Sequence, residues 1–514
     1  MEHIIGQKAI DLLNSKQVDI INRPRNFESK FLKKKKKITI VTAVYNGESF
    51  IKKTIESVIN QSIGLKHIQY IIVDDSSTDN TYEIAKSYAE KYKEIRYVRL
   101  PENTGTPGTP RNIGIELADS KYITFLDSDD WLAENGLEQL YNILEETGDD
   151  YVVGKTIKVE SESQSVIGEF ASVKERRSIS PFEVEHFFYH MGPTARMMKL
   201  DMLKEHHIRF PEMTFAEDKL FFCDVFFNAA AVSTTTQPIY FVNRTKENSG
   251  SLTRTTDVIK KREADLKVIE YIKSKSLPVD QEKVALNRIY EYDIVKTFDS
   301  QLFVKSKNKK AFFDILRQAI ETTKDLRYDF RLEFKIPLYR AVIDLFMDNR
   351  IDDITKLLKW YKKDKNKKYV IKDNLPYYEI PFFEDQYRLI RIPMLARALD
   401  SYVTDGIYYQ TAEVYGDYLE NMNHILIRDR KRYNNDLIVD FNRSGNIITF
   451  KLDVESILKL QNSLFTIFIR YNDYTLVNIK RILKNQITYK ERKIEFYTTL
   501  ANNLGLSITN MKNE

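Results

Sequence analysis

The sequence contains a single cysteine among its 514 residues. One cysteine cannot form a disulfide within the chain, and it excludes a cysteine-rich zinc site. Because Cys223 lies in the apolar segment 220–227, we expect a buried thiol and not a catalytic one. Apolar runs near the ~20 residues that span a bilayer are missing, as is the pattern of a secretory signal peptide. We therefore expect a cytoplasmic protein.

Charge is nearly balanced over the chain. There are 79 basic and 74 acidic residues, which leaves a net charge of +5. So small an excess does not select a class of partner by itself, and we expect no nucleic-acid partner. A basic run at 33–37 has two interpretations. It fits a solvated linker, which we favour, or a peripheral contact with the acidic inner face of the cell membrane.

A regular alternation of strand and helix patterns begins at residue 38. Apolar, β-branched runs typical of buried parallel strands occupy 38–46, 70–75, 95–100 and 122–127. Helix patterns lie between them, at 48–61, 78–91 and 111–118. This order predicts an α/β fold, with an open, mostly parallel, Rossmann-like sheet that carries helices on both faces. In such sheets ligands bind beyond the carboxyl ends of the strands.

Changes of pattern divide the chain into four predicted segments. They are an N-terminal extension with a short helix and a basic linker (1–36), an α/β domain (37–256), a helical middle region (257–400) and a β-rich module (401–514). Alternating apolar runs in the last segment, separated by Asn and Gly, predict a small β-sandwich at 424–428, 437–441, 446–452 and 464–470.

An acidic segment, Asp127-Ser128-Asp129-Asp130, follows the predicted strand at 122–127. In an extended segment Asp127 and Asp129 point to the same side. Two carboxylates at a strand end are suitable ligands for a hard divalent cation that neutralises a diphosphate. Taken alone, the segment is more often an acidic turn or a helix cap. We expect Asp130 to cap a helix that follows.

Other strand ends and loops carry polar groups suited to a nucleotide. Tyr45 ends one strand, and Asp74 and Asp75 end the next. The two aspartates could accept hydrogen bonds from a nucleobase and a ribose, or they could belong to a turn that caps the following helix. A Gly/Pro loop at 103–112 contains Arg111, which can pair with a phosphate group. Alternatively, the loop merely caps the next helix. The loop lacks the Gly-Lys-Ser/Thr ending of a P-loop.

A general base is the remaining requirement of a transfer to a hydroxyl group. Glu217 and Asp218 precede an apolar helix, where they fit this role or that of an ordinary helix start. Arg244, Lys246 and the loop 248–251 are weaker candidates for closing over a diphosphate.

Five motifs occur in an order that resembles a known family. They are Val41–Asn46, Val73–Asp79, the loop 103–112, Phe125–Asp130 and Ala216–Phe221. The sequence is similar to the family-2 inverting glycosyltransferases of the GT-A fold over roughly residues 38–250. Within that family it looks most like the bacterial wall teichoic acid β-N-acetylglucosaminyltransferases, whose helical and β-rich C-terminal regions can assemble trimers.

The resemblance implies roles for individual residues. For the nucleotide, it implies that Tyr45 stacks on uracil, that Asp75 binds the uracil ring, and that Asn103 and Arg111 hold the nucleotide and its phosphates. For the sugar and the cation, it implies that Asp127 contacts the donor sugar or ribose and that Asp129, with Asp127, binds Mn²⁺ or Mg²⁺. For the reaction, it implies that Asp218 is the base, with Glu217 beside it. Ala43, Asp74 and Ser128 complete the expected donor site. The family often has Pro or Thr at the position of Ala43, and an extension such as 1–36 is not typical.

The function implied by the resemblance is the transfer of a sugar from a UDP-sugar to a cell-envelope polymer. The expected donor is UDP-N-acetylglucosamine, followed by UDP-glucose or UDP-galactose, and the expected acceptor is teichoic acid or another anionic polysaccharide. A capsular or lipid-linked saccharide or a glycoprotein is the alternative acceptor. A nucleotidyltransferase or a non-catalytic carbohydrate-binding protein is the alternative from another class. We expect a homo-oligomer, in the first place a trimer.

Overall fold

The computed structural model describes residues 6–15, 17–22, 35–184, 186–248, 257–480, 485–489 and 492–511. The chain forms two compact units. The first comprises residues 1–161 and 166–289, and the second comprises residues 162–165 and 290–514. The segment boundaries at 256 and 400 that the sequence suggests stay predictions.

The first unit contains a mixed sheet with helices on its faces. The strands up to residue 243 are β1 (Asp19–Ile21), β2 (Lys36–Val44), β3 (Ile68–Asp74), β4 (Ile95–Arg99), β5 (Ser120–Phe125), β6 (Trp131–Leu132), β7 (Tyr151–Val159), β8 (Gln164–Ile167), β9 (Arg176–Ile179), β10 (Arg196–Lys199) and β11 (Val232–Asn243). The helices are α1 (Gln7–Asn14), α2 (Ile51–Ile59), α3 (Thr81–Lys91), α4 (Gly108–Leu117), α5 (Gly136–Thr147), α6 (Glu169–Ser172), α7 (Leu200–Glu205), α8 (Glu217–Asn228), α9 (Val258–Ser274) and α10 (Val279–Asn287).

The predicted parallel core of this sheet is confirmed. The main path of the sheet is β1-β4-β3-β2-β5-β10-β7-β11-β6, and β4, β3, β2 and β5 are parallel to one another. Apolar side chains of these strands pack against α2, α3 and α5 in one buried cluster. The β-branched runs therefore become strands because both faces of the sheet are covered.

The N-terminal segment is more structured than its sequence predicted. Helix α1 covers the other face of the sheet, where Ala9 is fully buried with side chains of β3, β4 and α4. Strand β1, which the sequence analysis missed, pairs antiparallel with β4. In the basic run, Lys36 and Lys37 belong to β2 and not to a linker. Ile4, Ile5, Lys33 and Lys34, which also entered the predictions, lie outside the described residues.

The second unit begins with helices and continues as strands. Its α-helices are α11 (Gln301–Lys305), α12 (Lys309–Glu321), α13 (Pro337–Met347), α14 (Ile351–Lys363) and α15 (Val454–Leu458), preceded by a π-helix at Arg288–Ile294. Its strands are β12 (Lys368–Lys372), β13 (Leu375–Glu379), β14 (Leu389–Arg391), β15 (Met394–Thr404), β16 (Ile407–Gly416), β17 (Met422–Asp429), β18 (Leu437–Val439), β19 (Asn442–Ser444), β20 (Ile447–Asp453), β21 (Ser463–Tyr471), β22 (Thr475–Lys480), β23 (Asn485–Tyr489), β24 (Arg492–Thr498) and β25 (Leu504–Asn510).

The predicted β-rich C-terminal fold is also confirmed. Strands β12, β13 and β14 form a small antiparallel sheet of their own. The later strands run in the order β19-β20-β16-β15-β22-β21-β25-β24-β23, and their inward side chains share one apolar core. This shared core is what a sandwich-like module requires.

Two further expectations concern burial. Cys223 is fully buried in α8, and burial raises the pKa of its thiol, as expected for a core residue. Over the part of the chain that the structure describes, no helix combines the length and the apolarity needed to span a membrane.

Candidate active site

The carboxyl ends of three neighbouring strands form one edge that carries the predicted residues. Val44 at the end of β2 pairs with Asp74 at the end of β3, and the N–H of Asp75 donates to the Val44 carbonyl over 2.8 Å. Strand β5 lies on the other side of β2, where the N–H of Leu126 donates to the Val41 carbonyl over 3.0 Å. The segment that begins at Asp127 therefore emerges beside β2, as the parallel topology requires.

Tyr45 and Ala43 lie on the β2 side of this edge. The Tyr45 side chain is 50% exposed, which is unusual for a tyrosine directly after a buried strand and leaves a ring face available for stacking. Ala43 lies in β2 opposite Val73 and is partly buried. Ser128 lies close by, because a Cβ placed on Gly47 would be 3.7 Å from its Oγ.

Asp75 is held by the loop that follows β4. Its two carboxylate oxygens accept hydrogen bonds from the N–H and the hydroxyl of Thr104, over 2.9 and 3.0 Å. Burial raises the pKa of Asp75, and the bonds from Thr104 oppose that rise. Asn103, one residue earlier, is exposed and turns the loop by accepting the N–H of Gly105 over 2.7 Å.

Asp74 differs from Asp75 in being fully buried. One of its oxygens accepts the Ser77 N–H over 2.7 Å and the other accepts the Tyr97 hydroxyl. Both oxygens are thus engaged within the protein. Because the Asp74 side chain has no exposed surface, a direct contact between Asp74 and a donor, as the sequence suggested, would require neighbouring groups to move.

Arg111 joins two carboxylates that are far apart in sequence. It lies in α4 and is 6% exposed. One terminal nitrogen is 2.9 Å from Asp127 Oδ1, and the other is 3.3 Å from Glu217 Oε1. Although burial lowers the pKa of Arg111, the charges of Asp127 and Glu217 raise it by more, so the guanidinium stays ionised. The predicted Arg111 is therefore in the site, where it bridges two acidic side chains.

Asp129 and Asp130 point to different partners. Asp129 accepts a hydrogen bond from the Asn248 amide, while Asp130 is buried and accepts the Asn243 N–H over 2.7 Å. The expectation that Asp130 caps a helix is wrong, because the short strand β6 follows it and pairs with β11. Asp130 instead fixes the acidic segment to the end of β11.

The charges of the acidic segment repel one another. Burial raises the pKa of Asp129, and the charge of Asp127 raises it further. A bound cation would offset both effects, and carboxylate oxygens are the ligands that Mg²⁺ and Mn²⁺ prefer. Asp127 and Asp129 therefore fit a divalent cation. Among the described residues no three His, Cys, Asp or Glu side chains are grouped as a metal site.

Glu217 and Asp218 begin helix α8, directly after Ala216, whose φ of +69° turns the chain into the helix. Burial raises the pKa of both carboxyl groups, while Arg111 opposes the rise in each case. A carboxyl group with a raised pKa is suited to accept a proton near neutral pH. Asp218 is partly buried and so retains access to solvent.

Several contacts of the site were not foreseen from the sequence. The Tyr240 hydroxyl accepts the Asp127 N–H over 2.9 Å, and the Thr54 hydroxyl lies 2.8 Å from the Ser128 carbonyl. Arg244 was a weak candidate, and its charge lowers the pKa of Asp129. Lys246 contacts Ser161 instead, through its backbone. Residues 249–251 of the proposed closing loop lie outside the described residues.

Comparison with known proteins finds similarity over part of the N-terminal unit. Residues 39–206 match the sequence model described as glycosyl transferase family 2. The poly(ribitol-phosphate) beta-glucosyltransferase of Bacillus spizizenii is 31% identical over 206 residues, which cover 40% of this chain and 32% of that protein. The poly(ribitol-phosphate) beta-N-acetylglucosaminyltransferase TarP of Staphylococcus aureus is 30% identical over 210 residues, which cover 40% of this chain and 62% of that protein. The chain thus spans about a third to three fifths of the length of these relatives.

Solved structures extend the similarity of fold beyond that segment. The crystal structure of S. aureus TarS superposes with a TM-score of 0.58 over 93% of this chain and 86% of that chain, at 17% identity. TarS 1–349 in complex with UDP-GlcNAc gives 0.56 over 69% of this chain and 99% of that chain, at 20% identity. At these identities the likeness shows the fold, which agrees with the resemblance drawn from the motifs.

Proposed function

Because residues 39–206 form a family-2 glycosyltransferase domain, we propose that the chain transfers a sugar from a UDP-sugar to a hydroxyl group of a teichoic acid. The proposed acceptor is poly(ribitol phosphate), the polymer named for both curated relatives. The proposed donor is UDP-N-acetylglucosamine. UDP-glucose is the second candidate, because one relative is named a glucosyltransferase.

The observation that carries this proposal is the bridge made by Arg111. It connects Asp127, at the end of a central parallel strand, with Glu217, next to Asp218 at the start of α8. Asp127 lies beyond the carboxyl end of β5, which is where ligands bind in such sheets. The pKa of Asp218 is raised, which suits a proton acceptor. One buried guanidinium therefore sets the spacing between a donor-binding group and a base.

The nucleotide of the donor is assigned to the β2–β3 end of the site. We place the uracil ring on the exposed face of Tyr45, with the Asp75 carboxylate accepting its N–H. Asn103 lies in the loop that holds Asp75, close enough in sequence to contact the same nucleotide. Exclusion of water by the ring strengthens such a hydrogen bond.

Asp129 and Asp127 are the residues we assign to a divalent cation, Mn²⁺ or Mg²⁺. When bound there, the cation supplies positive charge for the diphosphate of the leaving UDP. Asn248 fixes one oxygen of Asp129, so that its carboxylate is oriented before any ligand binds. This preorganisation is the contribution of the protein itself.

The proposed reaction inverts the anomeric carbon. Asp218 takes the proton of the acceptor hydroxyl, whose oxygen forms a bond to the anomeric carbon from the face opposite UDP. The bond between that carbon and the diphosphate oxygen breaks, and UDP leaves with the electron pair. The proton ends on Asp218, and Arg111 stays ionised throughout because both of its carboxylate partners remain in place.

The same proposal includes a homo-oligomer, in the first place a trimer, and a peripheral position at the inner face of the membrane. The cation that we assign to acidic lipids is Lys35, which is 52% exposed and lies 3.8 Å from the exposed Asp201. Lys36 and Lys37 are engaged by Glu94 and the Tyr141 ring and contribute less.

An assay of the purified chain tests the proposal. The chain is incubated with UDP-GlcNAc, UDP-glucose or UDP-galactose, in Mn²⁺, Mg²⁺ or EDTA, with and without poly(ribitol phosphate). We expect metal-dependent UDP release that rises when the polymer is added, together with a sugar adduct on the polymer by mass spectrometry. Poly(glycerol phosphate) is the matched control, since it carries the same charge on a shorter polyol. If no UDP-sugar releases UDP under any of these conditions, the chain is not such an enzyme.

A further inference from the structure

Gly192, in the segment that precedes β10, lies against the proposed base. A Cβ placed on Gly192 would be 3.8 Å from Asp218 Oδ2, and among the described residues no other atom beyond its two chain neighbours would come within 4 Å. Gly192 and Asp218 are both partly exposed, whereas the residues directly before and after each of them are buried. An opening to solvent therefore lies where Gly192 meets the base.

The two carboxylate oxygens of Asp218 differ in their partners. Oδ1 accepts the N–H of Lys219 over 2.8 Å at the start of α8. Oδ2, the oxygen nearest to Gly192, accepts no hydrogen bond within the part of the chain that the structure describes. A carboxylate oxygen without a protein donor keeps its lone pairs for a ligand. Oδ2 is thus the oxygen that is available to take a proton.

Neither packing nor backbone geometry explains a glycine at position 192. At Gly114, by contrast, a Cβ would be 2.2 Å from the Val41 side chain, so crowding requires glycine there. The atom nearest to a Cβ on Gly192 would be at an ordinary van der Waals distance. The φ of Gly192 is not positive, so its backbone conformation is open to other residues. What the missing side chain leaves free is the space beside Asp218 Oδ2.

Arg196 of β10 fixes the backbone on both sides of Gly192. Its side chain is buried, and its guanidinium donates to the carbonyls of His190 and Thr194, over 3.0 Å in each case. The same guanidinium is 4.4 Å from the ring centroid of Phe222 in α8. One side chain therefore spans Gly192 and also packs against the helix that carries the base.

A second contact connects this segment to α8. Met191 Sδ is 3.6 Å from the sulfur of Cys223, and both side chains are buried. Cys223 belongs to the same helix as Asp218. Because buried groups hold the segment and the helix together, the opening between Gly192 and Asp218 is part of the folded protein and does not depend on a ligand to form it.

We propose that Gly192 determines which acceptors reach the base: the proton passes to Asp218 Oδ2, and the carbon that carries the reacting hydroxyl occupies the space that a side chain at position 192 would fill. This inference rests on the proposed function, because it assumes that Asp218 is the base. A hydroxyl within a polyol chain is bonded to a carbon with chain on both sides. It therefore needs more room beside the base than a water molecule does, and glycine leaves that room.

Gly192→Ala and Gly192→Val test the inference through initial rates at increasing concentrations of poly(ribitol phosphate). We expect kcat/KM for the polymer to fall about tenfold in Gly192→Ala and about 100-fold in Gly192→Val, because each added carbon takes space from the acceptor. Release of UDP from the donor by water, measured without polymer, should stay unchanged, as should the affinity for UDP. The thermal midpoint of Gly192→Ala should not fall, since a Cβ fits there and restricts the unfolded chain.

Ala230→Val is the matched control, because it adds bulk at an exposed position beyond the end of α8. It should leave kcat/KM for the polymer unchanged. Equal losses of transfer and of hydrolysis in Gly192→Ala would overturn the inference, and so would a wild-type kcat/KM for the polymer in that variant. A loss at pH 6 that disappears at pH 9 would also overturn it, because the added carbon would then act on the pKa of Asp218 and not on the space for the acceptor.

The outcomes also separate this inference from the proposed function. If the wild-type chain transfers no sugar to the polymer, the proposed function itself fails, and this result is known before any variant is compared. If the wild type transfers sugar and the variants at position 192 do so equally well, the function stands and Gly192 does not select the acceptor. Should Gly192→Val fail to fold, Gly192→Ala still gives the answer, since its single added carbon makes no close contact among the described residues.

Discussion

The acidic side chains at the two ends of the site are stabilised in different ways. At the proposed nucleotide end (Asp74 and Asp75), the carboxylates accept hydrogen bonds from neutral groups, namely backbone N–H groups and the hydroxyls of Tyr97 and Thr104. At the proposed transfer end (Asp127, Glu217 and Asp218), Arg111 forms ion pairs with two of the three carboxylates at once.

This difference decides how sensitive each end is to substitution. Each carboxylate of the nucleotide end accepts two hydrogen bonds from neutral groups, so losing one bond leaves the other. At the transfer end one guanidinium is paired with both Asp127 and Glu217, so its removal takes the cation from two carboxylates at once. The nucleotide end therefore suits recognition of a neutral ring, while the transfer end suits a step in which a proton and a charge move.

The largest effect is expected at the transfer end. Asp218→Asn removes the proton acceptor but retains the shape of the side chain, so the rate of transfer should fall by about 10²–10⁴-fold. Binding of UDP, measured by titration calorimetry, should stay unchanged, because the nucleotide end is not altered. Asp201→Asn is the control, since that side chain is 65% exposed in α7. Full activity in Asp218→Asn would remove Asp218 as the base.

The second prediction concerns the bridge. At a pH above the raised pKa of Glu217, Arg111→Met leaves an ionised Glu217 buried without its cation, which should cost about 3–5 kcal/mol of unfolding free energy. The double variant Arg111→Met with Glu217→Gln removes the unpaired charge and should recover part of that loss. Denaturant unfolding measures both.

Arg317→Met supplies the comparison for this experiment. Arg317 is 60% exposed and pairs with Asp314, which is 36% exposed, so its loss should cost at most about 0.5 kcal/mol. Equal losses for Arg111→Met and Arg317→Met would mean that the bridge is no stronger than a surface ion pair, and the contrast between the two ends would disappear.

The part of the fold that the sequence predicted is the part with local signals. The runs at 38–46, 70–75 and 122–127 are strands because each is apolar, β-branched and ended by polar residues. Strand β1 has three residues and exists only because the edge of β4 pairs with it. Asp130 was wrongly assigned to a helix cap because its hydrogen-bond partner, Asn243, lies 113 positions away and leaves no signal near Asp130 in the sequence.

The site was predictable to the extent that topology places strand ends together. Asp75, Asp127 and Tyr45 were expected at one edge, and the structure places them there. The pairing of Arg111 with Glu217, across 106 positions, depends on how α4 and α8 pack. No spacing in one sequence reports such packing.

The third prediction separates the two aspartates of the nucleotide end. Asp75→Asn replaces a charged acceptor of the uracil N–H and should weaken UDP binding about 10- to 100-fold, since one hydrogen bond to a charged group contributes about 1.5–3 kcal/mol. Asp74→Asn is its pair. Because Asp74 is engaged by Ser77 and Tyr97, it should lower the thermal midpoint and leave the UDP affinity of the folded protein unchanged. The reverse result would place Asp74 in the donor site, as the sequence suggested.

The smallest effect is a dependence of stability on pH that belongs to the transfer end alone. Burial raises the folded-state pKa of Glu217 above its unfolded value, so between these two values the folded protein binds more protons than the unfolded one. Unfolding free energy should therefore decrease as pH rises through this window, by at most about 1.4 kcal/mol per pH unit. Glu217→Gln should flatten the slope between pH 5 and 8, whereas Glu134→Gln, at an exposed position, should leave it unchanged. If the dependence of unfolding free energy on pH is the same in Glu217→Gln as in the wild type, Arg111 compensates the buried charge of Glu217 fully. The stability contributed by the two ends would then depend equally little on pH.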